Sequence, residues 1–141
     1  MRLDGQRFVI EMTPVWGHPD SDRGVISEGP VGLASLGHSK FFRYEVHCWR
    51  DGVIPDLAAA VASPIGLTTT NDGTRELIEL LSEFPAATWG RDEQRAGEMW
   101  NSNSLTSWLL GRSGHDVSAV QLPRGGRAPG WSAGLVVAAR R

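Results

Sequence analysis

Four short polar residues stand directly before an apolar helical pattern, and they are the part of this sequence best suited to chemistry. They are Asn101, Ser102, Asn103 and Ser104. At such a position, free backbone N–H groups and the positive end of the helix dipole stabilise a developing negative charge. This favours Ser102 as a nucleophile, with Asn101, Asn103 and Ser104 as oxyanion or supporting groups. The simpler alternative is N-capping, in which these side chains accept hydrogen bonds from the first turn.

A serine nucleophile needs a general base within hydrogen-bond reach and a third group that orients the base. His38 follows a glycine just before a strand-like segment and is the candidate base. Glu45 and His47 lie on the polar face of that segment, and either could orient His38. Glu45 fits this role better, because a carboxylate fixes the tautomer and stabilises the imidazolium. The alternative is a pocket that binds a ligand without reacting.

The stretch Asn101-Ser102-Asn103-Ser104-Leu105-Thr106 resembles the Asn-Cys-Asn-x-Phe-Thr stretch of circularly permuted papain-like proteins. That group includes the desumoylating isopeptidase-type peptidases and bacterial relatives of the NlpC-type cell-wall peptidases. The stretch is also similar to a Pro-Asn-Ser-Asn-Thr-Phe motif of uncharacterised bacterial proteins. In the papain-like group the Cys begins a helix and acts as the nucleophile, and a His precedes it in the chain. Here Ser102 replaces the Cys, and its hydroxyl is far less ionised than a thiol near neutral pH.

The resemblance runs from His38 to Arg112 and rests on short motifs. It implies a permuted papain-like fold and an amide, peptide or isopeptide substrate, with a cell-wall fragment as one expected partner. If the chain is active, it is expected to be a serine-variant hydrolase. The alternative is an inactive binding or assembly module on the same fold, within a larger bacterial or phage assembly.

Aromatic and arginine side chains are the candidate walls of a pocket. Trp100 lies in a loop beside the polar motif, and a Pro-Gly turn at 129–130 would present Arg127 and Trp131. Such side chains are effective contact anchors. For Trp131 the alternative is a ring folded over the sheet, because tryptophan is usually well buried. The four histidines lack the spacing of metal ligands, so the sequence predicts no metal and no cofactor.

Hydrophobic periodicity predicts an α+β fold over a single domain, 1–141. It indicates a largely antiparallel sheet of five to six strands with about three helices. The predicted strands are 7–16, 25–26, 41–49, 66–70, 117–122 and 135–138. The predicted helices are 57–62, one carrying Leu77 to Phe84 after a turn at 71–74, and 103–112.

Composition narrows the class of protein. The chain has 141 residues and a net charge of −2, so it carries no basic footprint for nucleic acid. No apolar run approaches the roughly 20 residues of a membrane span. The single cysteine, Cys48, excludes an intrachain disulfide and is expected to be a buried small hydrophobe. The N-terminus lacks the apolar core of a signal peptide, so a cytoplasmic location is expected, with signal-independent export left open.

Overall fold

A computed structural model describes residues 1–15, 24–54, 57–58, 66–67, 70–122 and 124–140. Over these residues the predicted α+β class is confirmed, with one antiparallel sheet and three α-helices. The strands are β1 (Arg2–Leu3), β2 (Gln6–Pro14), β3 (Val25–Pro30) and β4 (Arg43–Arg50), in the spatial order β1-β2-β4-β3. The helices are α1 (Asn71–Leu80), α2 (Ser102–Arg112) and α3 (Trp131–Ala138).

The pairing of β2 with β4 sends two sets of side chains to opposite faces of the sheet. Val46 lies opposite Met12 in the register, and both are buried together with Tyr44 in the core. Successive side chains of a strand point to opposite faces. Glu45 and His47 therefore project from the other face, as the alternation in the sequence predicts.

The two longer helices begin at side-chain caps. The hydroxyl of Thr70 accepts a hydrogen bond from the N–H of Gly73 at 3.1 Å, so α1 begins at Asn71. The prediction of a turn at 71–74 is therefore wrong, since these residues form the first turn of the helix. A 3-10 turn at Leu81–Glu83 follows α1 and leads to Pro85. Helix α2 begins one residue earlier than predicted, because Asn101 is its N-cap.

Two predicted strands near the C-terminus are wrong. Residues 135–138 belong to α3, and residues 117–119 form a 3-10 turn followed by irregular backbone. A short apolar run has no periodicity that distinguishes a strand from a buried helix. The described residues therefore contain four strands instead of five or six. Of the predicted helix at 57–62, only residues 57–58 are described, and they have a 3-10 conformation. Of the predicted strand at 66–70, residues 66–67 and 70 are described and belong to no strand, whereas 68–69 lie outside the described residues.

The core joins the inner face of the sheet to α2, α3 and the segment after α1. Its aromatic centre is Phe84, whose ring stacks on Trp100 at 5.0 Å and meets the edge of Trp108 at 5.5 Å between centroids. The hydroxyl of Tyr44 donates to the carbonyl of Ala87 at 2.9 Å, which ties β4 to the loop after α1. Within the described segments, no helix has the length and apolar character needed to cross a membrane.

Candidate functional site

The polar motif at the start of α2 forms a capping box. The side-chain oxygen of Asn101 accepts hydrogen bonds from the backbone N–H groups of Asn103 and Ser104, at 2.9 and 3.3 Å. The hydroxyl of Ser104 in turn accepts from the backbone N–H of Asn101 at 3.1 Å. Such reciprocal bonds satisfy donors that a helix start leaves free. The N-capping interpretation therefore describes Asn101 and Ser104.

The same side chains also hold the turn that leads into α3. The amide groups of Asn101 and Asn103 both donate to the carbonyl of Pro129, at 2.8 and 2.9 Å. The hydroxyl of Ser104 donates to the carbonyl of Gly130 at 2.8 Å. These three bonds join two segments that are far apart in sequence. We call this group, Asn101, Asn103 and Ser104 with the 129–130 turn, the α2–α3 clasp.

Helices α2 and α3 pack closely because small residues line their contact. The hydroxyl of Ser107 donates to the carbonyl of Trp131 at 2.7 Å. A Cβ atom built on Gly134 would overlap the Ser107 hydroxyl and the carbonyl of Ser104. Small side chains on both helices let the two backbones approach closely.

The clasp leaves few donors for an oxyanion near Ser102. The N–H groups of Asn103 and Ser104 and the side-chain amides of Asn101 and Asn103 are all hydrogen bonded within the protein. Ser102 is the first residue of α2 and is half-buried. Its hydroxyl makes no hydrogen bond to another described residue.

Glu45 and His47 are brought together, but away from α2. The Nε2 atom of His47 lies 3.1 Å from a carboxylate oxygen of Glu45. The His47 side chain is buried, and no described residue forms a hydrogen bond with its Nδ1 atom. The pair projects from the face of the sheet opposite the one that carries Tyr44 and Val46. Since the helices pack on the Tyr44 and Val46 face, the sheet stands between this pair and α2.

His38 lies in a turn between two short 3-10 segments, Ala34–Leu36 and Lys40–Phe42, and is exposed. Within the described part of the chain, no hydrogen bond or ion pair joins His38 to Ser102, Glu45 or His47. The expected chain of nucleophile, base and orienting group is not assembled by such contacts.

A different serine and histidine do touch, and the sequence interpretation missed them. The hydroxyl of Ser113 lies 2.7 Å from Nδ1 of His115, just after α2. That hydroxyl also donates a hydrogen bond to the carbonyl of Leu109 at 2.7 Å. The N–H groups of Ser113 and His115 are bonded to carbonyls of the last turn of α2. This arrangement closes the end of a helix, where the negative end of the dipole disfavours an alkoxide.

A cleft of about 440 Å³ opens beside the start of α3. Trp131 and Arg127, two of the expected wall residues, line it together with Met99 and Leu122. Met99 and Leu122 are 44% and 54% exposed, so both present apolar surface to the cleft. Trp100, the third expected wall residue, is 1% exposed and belongs to the core. The cleft volume is within the range of small-ligand pockets.

The acidic residue of the cleft, Glu98, already accepts hydrogen bonds from within the protein. One carboxylate oxygen of Glu98 accepts from the backbone N–H groups of Gly130 and Ser132, at 2.9 and 3.2 Å. A helix start provides no partner within the helix for such N–H groups, so Glu98 caps α3 from a distant segment. The sequence gives no local signal for this role, since Glu98 is 32 residues from Gly130. Arg127 lines the same cleft, is exposed, and forms no ion pair with a described residue.

Comparison with known proteins gives no match to a family model, to a curated protein or to a solved structure. The resemblance to permuted papain-like proteins stays a prediction. The structure therefore defines this protein as an α+β fold in which the α2–α3 clasp lies beside a partly apolar cleft.

Proposed function

We propose that this protein is a non-catalytic binding module whose cleft beside α3 takes a short peptide. The observation that carries the proposal is the exposure of Met99 and Leu122 along the same cleft as Trp131. Burying apolar surface of this kind favours binding by roughly 25 cal/mol per Å². Tryptophan and arginine are enriched among the side chains that contribute most to binding at protein contacts.

The competing proposal is a serine-variant amide hydrolase that uses Ser102 and His38. Its support is the sequence resemblance and the Ser102 hydroxyl, which lies at a helix start and makes no hydrogen bond to a described residue. The geometry favours binding over hydrolysis, because the nearby amide donors are engaged in the clasp. A general base must also reach the hydroxyl directly or through one water molecule.

Tryptophan fluorescence tests the binding proposal. We expect a peptide that ends in an apolar residue, such as acetyl-Gly-Gly-Leu, or a soluble cell-wall peptide to change the emission of Trp131. The core residues Trp100 and Trp108 should not respond. Leu122→Asp should abolish the change, because it places a charge on the apolar rim of the cleft.

Leu33→Asp is the matched control for this experiment. Leu33 is 51% exposed, similar to Leu122, but does not line the cleft. The control should bind like the wild type, and circular dichroism should show both variants folded. If Leu122→Asp and Leu33→Asp bind equally well, or if no peptide alters the emission, the binding proposal fails.

A fluorophosphonate probe tests the hydrolase proposal separately. We expect no labelling of Ser102, because no described base contacts its hydroxyl. Labelling that is lost in Ser102→Ala and retained in Ser113→Ala would support hydrolysis and overturn the non-catalytic proposal. The Ser113 variant is the control, since that hydroxyl contacts a histidine.

A further inference from the structure

We infer that the cleft recognises the free carboxyl terminus of a peptide whose last residue is apolar, an inference that rests on the proposed binding function. The cleft is lined by both apolar and cationic side chains. Met99, Leu122 and Trp131 supply apolar surface, and Arg127 supplies a cation. An apolar side chain and a carboxylate on one residue match these two parts within a single short ligand.

Arg127 is available for a carboxylate from outside the protein. It is exposed and makes no ion pair with any residue that the structure describes. A guanidinium has donors in a fixed fork that matches a carboxylate, and such charge-assisted hydrogen bonds are the strong ones. Arg124 lies in the same loop but does not line the cleft, so the cationic character of the cleft comes from Arg127.

Glu98 supplies the acceptor that a peptide backbone needs. One of its carboxylate oxygens is held by the N–H groups of Gly130 and Ser132. The other oxygen has no hydrogen-bond partner within the described segments. It can accept from the N–H of the last residue of the peptide. The two N–H groups at the start of α3 offset the negative charge of Glu98, which reduces its repulsion of the ligand carboxylate.

Three peptides separate the carboxyl terminus from other sources of negative charge. They are acetyl-Gly-Gly-Leu with a free carboxyl group, the same peptide as its C-terminal amide, and acetyl-Gly-Asp-Leu-amide. NMR titrations that follow the indole resonance of Trp131 give the dissociation constants. We expect the free-carboxyl peptide to bind about tenfold more tightly than either amide, because the amides lack one charge-assisted hydrogen bond.

Two arginine variants assign this difference to one side chain. Arg127→Ala should weaken binding of the free-carboxyl peptide about tenfold and leave the amide peptide unchanged. Arg124→Ala is the matched control and should bind both peptides like the wild type. This pattern supports the inference.

The outcomes distinguish this inference from the proposed function. Equal affinity for the free-carboxyl peptide and its amide, with resonances of the cleft shifting, overturns the inference and leaves the binding module in place. Tightest binding by the aspartate peptide also overturns it, because the charge would then come from a side chain. If no peptide shifts a resonance of the cleft, the proposed function itself fails.

Discussion

Gly130 is the residue on which the clasp depends most. Its φ of +88° lies in the left-handed region that side chains disfavour. A Cβ atom there would also lie 2.5 Å from the Asn101 side-chain oxygen and 2.8 Å from the Ser104 hydroxyl. The turn can therefore approach the start of α2 only because this residue has no side chain.

Gly130→Ala should lower the free energy of unfolding by about 3 kcal/mol, the sum of a left-handed backbone and an overpacked contact. Gly125→Ala is the matched control. Its φ is +75°, but a Cβ atom there meets no atom of the described residues within 4 Å, so a loss of about 1 kcal/mol is expected. Urea denaturation measures both. Equal losses of stability in the two variants would show that the close contact at Gly130 does not limit how the turn packs against α2.

The buried phenol of Tyr44 makes the free energy of unfolding depend on pH in the alkaline range. Burial raises the pKa of its phenol well above the ordinary value of 10.0. Below that value both the folded and unfolded chains are protonated, and Tyr44 contributes no pH dependence. As the pH rises further, only the unfolded chain loses the proton, so the free energy of unfolding should fall.

Tyr44 is the only tyrosine in the chain, so absorbance of the tyrosinate ion reports on it alone. We expect this absorbance to appear together with unfolding, and Tyr44→Phe should lessen the alkaline loss of stability. In denaturant the phenol should titrate at its ordinary value. Ionisation of Tyr44 in the folded protein at that ordinary value would contradict its burial.

At the scale of elements, the sequence predicts some parts of the fold better than others. The alternation of β4 and the apolar stripe of α2 are visible in the chain, and both are confirmed. The helix α3 is not visible, because its residues are apolar on all sides and its start is fixed by Glu98 and the clasp. Both groups come from distant sequence, which local patterns do not encode.

The two serines at the start of α2 differ in their contacts, and a pair of variants separates their roles. Ser104→Ala removes a buried hydroxyl bonded to Gly130 and Asn101, so we expect a loss of about 2 kcal/mol in stability. Ser102→Ala should change stability by less than about 0.5 kcal/mol. Thermal or urea unfolding measures both. A Ser102 variant as unstable as the Ser104 variant would contradict the assignment of the clasp.

At the scale of the whole molecule, the sheet separates two groups that sequence reasoning placed in one site. Glu45 and His47 share the polar face of β4, as expected, but that face lies away from the helices. The sequence indicates which strand face is polar, but it does not show which face α2 will cover. The Pro-Gly turn predicts Arg127 and Trp131 as wall residues, and both line the cleft. Trp100 is instead part of the core, where Phe84 stacks on its ring.

The most direct test of the account combines ligand mapping with a search for turnover. Protein labelled with ¹⁵N is incubated with acetyl-Gly-Gly-Leu, amide resonances are recorded, and the mass of the peptide is followed with time. We predict shifts confined to residues 98–99, 122 and 126–132 and to the indole of Trp131, with the peptide intact. Cleavage of the peptide by the wild type but not by Ser102→Ala, or shifts that avoid the cleft, would contradict the account.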